Sequence, residues 1–148
     1  MAVTTHGYPA NLHSPMEFLK GEKFCAAVTA DLSKSPDGIV SLTDVMQMIP
    51  TCKGLLVTDV FLRIDASTTV STVVSIGDVS DVNGYDNAVD LAVANGTITK
   101  SLEATDAYGV GRLYTSNDLT INLKFATSNV SAGTLTLIAE GVVLEQYA

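Results

Sequence analysis

The residues of this chain that could do chemistry are few, and their spacing gives them little to work with. Both histidines, His6 and His13, stand close to Gly7, Pro9 and Pro15 in a stretch where nothing holds an imidazole beside a nucleophile, as a triad requires. Carboxylates crowd one polar stretch as Asp78, Asp81, Asp86 and Asp90. A glycosidase needs two opposed carboxyls of unequal pKa, in a cleft with aromatic rings for the sugar. The chain has no tryptophan and only 6% aromatic residues, which also argues against a flat carbohydrate-binding platform.

Calcium is the sharper possibility. Asp81-x-Asn83-Gly84, with Asp90 six residues past the glycine, resembles the later part of an EF-hand loop. The first ligand would fall on Val79, which cannot coordinate, and Asp90 stands where the bidentate Glu belongs. These residues read instead as turn formers, since Asp and Asn accept backbone bonds and Gly reaches positive φ. Gly109-Val110-Gly111 is too short for a phosphate loop and lacks its lysine. Cys25 and Cys52 form no C-x-x-C pair and read as free, buried thiols. The sequons at Asn95 and Asn129 are chance matches. The expectation is a protein that is not an enzyme, with no catalytic residue, no metal and no cofactor.

Composition narrows the partners. Sixteen acidic residues face eight basic ones, a net charge of −8, and the basic residues are scattered from Lys20 to Lys124 without forming a stripe. Nucleic acid and anionic membrane both draw affinity from clustered Lys and Arg, so neither is expected. No apolar run approaches the ~20 residues of a membrane span, and the first residues lack the cationic start and apolar core of a secretory signal. Charged residues are 16% against a typical ~25%, while hydrophobic residues reach 47%. A surface so short of charge exposes apolar patches that mark contacts, so the chain is expected to form an oligomer.

The elements behind these residues are strands. Residues 1–23 lack apolar periodicity and read as an extended N-terminal arm; residues 24–148 read as one β-sandwich domain. Runs of Val, Ile, Leu and Thr recur there between Gly, Asn, Asp, Ser and Pro, the pattern of an all-β sandwich or barrel. Strands are expected at 24–31, 39–49, 55–64, 69–76, 119–125 and 134–145, about eight in all with the shorter segments. The 55–64 run carries apolar residues at both parities and reads as a central strand covered on both faces. Asn95-Gly96 reads as a hairpin turn, 88–94 as either a short strand or a helical turn, and the last two strands as an antiparallel hairpin. The fold expected is a two-sheet sandwich of jelly-roll type.

The order of features from Met48-Ile49-Pro50-Thr51-Cys52-Lys53-Gly54 into the 55–64 strand continues through Ile76-Gly77-Asp78 and Asp81 to Tyr85. It then runs through Tyr114-Thr115-Ser116-Asn117-Asp118 to the Ser131-Ala132-Gly133 turn. Over about residues 41–145 this order resembles the small jelly-roll capsid decoration, or cement, proteins of tailed bacteriophages. The resemblance implies a homotrimer on the capsid surface of a virion assembled in the host cytoplasm, clamping neighbouring copies of the major capsid protein. The arm lies outside it, yet holds Tyr8, Leu12, Met16 and Phe18, apolar groups with no core position, which we expect to contact the partner. Two other readings stay open: a neck, tail or head-fibre component contacting host glycans, and a small β-scaffold hydrolase or isomerase.

Overall fold

The computed structural model describes residues 5–6, 23–34, 44–68, 70–101, 107–109, 111–116, 119–126 and 129–144. Its strands are β1 (Thr5–His6), β2 (Lys23–Asp31), β3 (Val45–Pro50), β4 (Leu55–Ala66), β5 (Val73–Gly77), β6 (Asp86–Asp90), β7 (Ile98–Ser101), β8 (Arg112–Leu113), β9 (Thr120–Ala126) and β10 (Thr134–Val143). One sheet runs β1-β3-β9-β5-β6 and the other β2-β10-β4-β7, with β8 also on β4. Strands β2, β10, β4 and β7 facing β3, β9, β5 and β6 make the interleaved double Greek key of a jelly roll, so the expected all-β sandwich is what the chain forms. Among the described residues, no helix is long and apolar enough to cross a membrane.

Alternation builds the core. In β9, Ile121, Leu123 and Phe125 are fully buried between half-buried neighbours, and in β10 Leu135, Leu137 and Ala139 are buried from the opposite sheet, with Thr136 between the first two buried as well. Met48, Val74, Ile76, Leu62 and Ile64 complete the layer. Each of the larger side chains taken from water contributes roughly 1.5–3 kcal/mol.

Three expectations are corrected. First, β9 and β10 are not a hairpin: β9 lies between β3 and β5, β10 between β2 and β4. Their apolar faces look at each other across the core, because successive strands of a jelly roll mostly cross from sheet to sheet. Second, Asn95-Gly96 does turn, with Gly96 at φ 86, but it links β6 of one sheet to β7 of the other rather than closing a hairpin. Third, β4 is central yet, among the described residues, fully covered on one face and half-covered on the other. Its register on β10 shifts between Glu140, opposite Asp59, and Gly141, opposite Val57, leaving Thr58 as an extra residue. That bulge reverses the parity, so Leu55, Val57, Val60, Leu62 and Ile64 all point inward while Leu56 and Phe61 point out. Gly141 is required there, since a Cβ on it would lie 2.1 Å from the Leu56 carbonyl oxygen.

Residues 88–94 resolve into the end of β6 and a run of bends, with Ala88 at φ 62. The chain also pairs ahead of residue 24: Thr5 and His6 lie parallel to Val45 and Met46 at the edge of β3.

Candidate functional site

The most densely bonded polar group of the described molecule is Asp78, at the end of β5 and fully buried. Gly77 lets the chain fold back at this point, because a Cβ there would meet the Asp81 carbonyl oxygen at 2.1 Å. The Asp78 Oδ1 accepts from the Ser80 N–H at 2.8 Å, the Asp81 N–H at 3.1 Å and the Tyr108 hydroxyl at 3.0 Å. Arg112 Nε donates to Oδ2 at 3.3 Å. A buried carboxylate survives only with such partners, since stripping its hydration otherwise costs several kcal/mol.

Around it the aromatic rings interlock. The Arg112 guanidinium lies 4.7 Å from the Tyr108 ring centre and 5.4 Å from that of Tyr114. Tyr85 meets Tyr108 edge-on at 5.1 Å, and its hydroxyl is 2.7 Å from that of Tyr114. Burial raises the phenols of Tyr85 and Tyr114 far above their ordinary value, and burial together with the Asp78 charge pushes Tyr108 up to about 12. Gly84 is the floor on which Tyr108 rests: a Cβ would be 2.3 Å from the ring, and the Tyr108 N–H donates to the Gly84 carbonyl at 2.8 Å.

These groups spend their hydrogen bonds on one another, so the arrangement acts as a clamp. It fastens the 78–85 excursion to Tyr108, Arg112 and Tyr114. Held on that base, Val79 and Val82 stand 73% and 44% exposed. Beside them lies an open hollow of about 290 Å³, walled also by Val45, Gln47, Leu119, Asn122 and Lys124. An apolar display on a rigid loop over a hollow is a surface suited to protein contact.

The residues singled out in the sequence fall as follows. Tyr8, Leu12, Met16, Phe18 and His13 lie outside the described residues, and His6 enters only as the backbone partner of Met46. Asp81 accepts from the Asn83 N–H at 3.3 Å, Asp86 from the Ser101 hydroxyl at 2.8 Å and Asp90 from the Ala92 N–H at 2.9 Å, so the acidic stretch is dispersed between a turn and the two ends of β6. Among the described residues, no group of three or more His, Cys, Asp and Glu could hold a metal ion. Both cysteines are free, but Cys25 is exposed rather than buried, because its odd position on β2 faces outward. The clamp itself escaped the sequence: Tyr85, Tyr108, Arg112 and Tyr114 show no periodicity, and the only hint was an aspartate directly after a strand-ending glycine.

No family model matches the chain, and no protein of curated function does either. Solved structures do. A chain of the cyanophage Pam1 capsid asymmetric unit aligns with a TM-score of 0.65 at 16% identity, over 90% of this chain and 94% of its own. A chain from the capsid of Ralstonia phage GP4 gives 0.64 at 16% identity, over 95% and 97%. One from the acid-stable capsid of Helicobacter pylori bacteriophage KHP30 gives 0.62 at 14% identity, over 86% and 92%. At such identities the likeness is one of fold: nearly from end to end, this chain is built like proteins found in the capsids of these phages.

Proposed function

We propose that this chain is a structural protein of a bacteriophage virion, a capsid decoration or cement protein that sits on the head surface as a homotrimer and stabilises contacts between major capsid proteins. What carries the reading is the near end-to-end fold likeness to chains from three phage capsids. The molecule's own chemistry agrees with it. The polar groups of the clamp are bonded inward, charge is scarce, and the outward loop displays valines rather than a reactive group. A capsid under internal pressure gains from a multivalent bridge, because linked weak contacts add through effective concentration.

In this reading Val79 and Val82 and the adjoining hollow contact the capsid. Tyr8, Leu12, Met16 and Phe18 of the arm anchor alongside them. The test is co-sedimentation of the purified protein with empty heads of the parent phage, with light scattering for its size in solution. Saturable binding by a trimer is the expected result; a protein that stays in the supernatant at micromolar concentration overturns the proposal.

A further inference from the structure

Among the described residues the two sheet orders end on β1, β6, β7 and β2, with the two-residue β8 beside β7 on β4, and all of these but β2 are poor templates for further pairing. β1 is two residues long and β7 four. β6 begins and ends on aspartate, carries Ala88 at φ 62 and breaks register against β5 between Val74 and Ile76. The fourth edge, β2, differs. Its nine residues pair with β10 from Thr134–Asp31 to Val142–Lys23 without a register shift, and β10 is its only strand neighbour among the described residues. Between its end charges it reads Phe-Cys-Ala-Ala-Val-Thr-Ala, with no proline, glycine or charge, the devices by which proteins usually blunt an edge. Nine residues make a strip about 30 Å long.

The strip is complementary to itself. Laid antiparallel on a second copy with Ala27 opposite Ala27, it brings Lys23 of each copy opposite Asp31 of the other, Cys25 opposite Thr29 and Ala26 opposite Val28. Lys23 is exposed, and Asp31, held by the Ser33 hydroxyl at 2.6 Å and by Lys34 at 3.6 Å, is partly so. Any other in-line register separates the charges or sets them against apolar residues. The same centre continues a row on the outer face of the sheet: Ala27 is opposite Ile138, and Ile138 opposite Phe61. Across the two-fold axis the row becomes Phe61, Ile138, Ala27 and then Ala27, Ile138, Phe61 of the second copy, one apolar stripe over a joined sheet.

We infer that the β2 edge is a contact between two copies of this chain, formed by antiparallel strand pairing centred on Ala27. It is isologous and so joins copies in pairs; a trimer needs a different face, and the two contacts together link one trimer to the next. The inference stands apart from the capsid reading, because the purified chain alone tests it.

The register makes the test specific. Opposed residues of an antiparallel pair have Cα atoms about 4.5–5.5 Å apart, within disulfide range, whereas the two Cys25 residues are offset by four positions, about 14 Å along the strand, and cannot bridge. Thr29→Cys should therefore give a covalent dimer under mild oxidation at least tenfold faster than the unaltered protein, and Cys25→Ser added to it should abolish the product. In the Thr29→Cys background, Lys23→Glu should cut the yield several-fold, and Lys23→Glu with Asp31→Lys should restore it. Circular dichroism checks that each variant is folded. Crosslinking no faster than in the unaltered protein, or no recovery in the charge-exchanged variant, overturns the inference.

Discussion

Arg112 and Asp78 form an ion pair whose carboxylate is completely buried while the guanidinium is partly open to solvent, 28% by side chain, with Nε and Oδ2 3.3 Å apart. The asymmetry decides how the pair behaves under mutation. Removing the carboxylate leaves Arg112 able to reach water but deprives the Ser80 and Asp81 amides and the Tyr108 hydroxyl of their acceptor. Removing the arginine leaves a buried charge, still served by those other donors.

Asp78→Ala should accordingly be the more damaging of the two. Each of these donors left without its acceptor inside the protein costs roughly 1–3 kcal/mol, together about 10 °C in Tm for a chain of this size. Arg112→Met, which keeps the packing against Tyr108, should cost less. Urea denaturation of both variants checks the order, and equal or inverted losses would contradict the clamp.

The tyrosines impose a pH dependence with a definite sign. Unfolded phenols ionise near 10, while Tyr108 in the fold is pushed up to about 12 and Tyr85 and Tyr114 lie higher still. Between about pH 10 and 12 the unfolded chain has released protons that the native one retains, so stability is intact below pH 10 and falls as pH rises through this window. Denaturation followed from pH 8 to 11.5 should show that decline, with phenolate absorbance rising on unfolding at pH 11. A flat profile would mean these rings are not buried as described.

The Tyr85–Tyr114 contact, 2.7 Å between hydroxyls, should show non-additivity. Tyr85→Phe alone takes away a partner of the Tyr114 hydroxyl inside the core, at about 1–3 kcal/mol. With Tyr114→Phe added, the loss should fall short of the sum of the single changes, since no hydroxyl is then left unpaired at this contact. A double-mutant cycle by thermal denaturation measures the difference.

How much of this was legible in the chain depends on the range of the interaction. Period-two alternation marks β2, β9 and β10 plainly, because one face of each strand meets the core. It cannot tell which strand lies beside which: 119–125 and 134–145 read equally well as a hairpin or as opposite walls. It also misreads β4, where one extra residue, Thr58, reverses the parity, and the cause lies across the sheet in the close approach of Gly141 to Leu56. The clamp is beyond local reading for the same reason, since Asp78 and Arg112 are brought together only by closure of the sandwich.

At the surface, Val79→Asp and Val82→Asp together should leave Tm within about 3 °C, because both side chains are exposed and surface changes usually cost under ~0.5 kcal/mol each. If the loop contacts the capsid, the same pair should weaken binding to empty heads at least tenfold. Unaltered binding would move the contact elsewhere on the molecule.

The arm is tested by removing it. A chain starting at Lys23 keeps β2 and every later strand, so its β-type circular dichroism should persist. What it loses is the pairing of Thr5 and His6 with Val45 and Met46, which leaves that edge of β3 open. It also loses Tyr8, Leu12, Met16 and Phe18. If those side chains anchor in a groove of the capsid, their contacts must outweigh an ordering cost of roughly 1–2 kcal/mol for each residue fixed. Truncation should then weaken binding to empty heads while the proposed trimer survives. If instead the arm packs on its own oligomer and seals an edge, truncation should dissolve the trimer first. Light scattering and co-sedimentation on the same truncated sample separate these outcomes. A trimer that persists and binds heads as tightly as before would remove the anchoring role altogether.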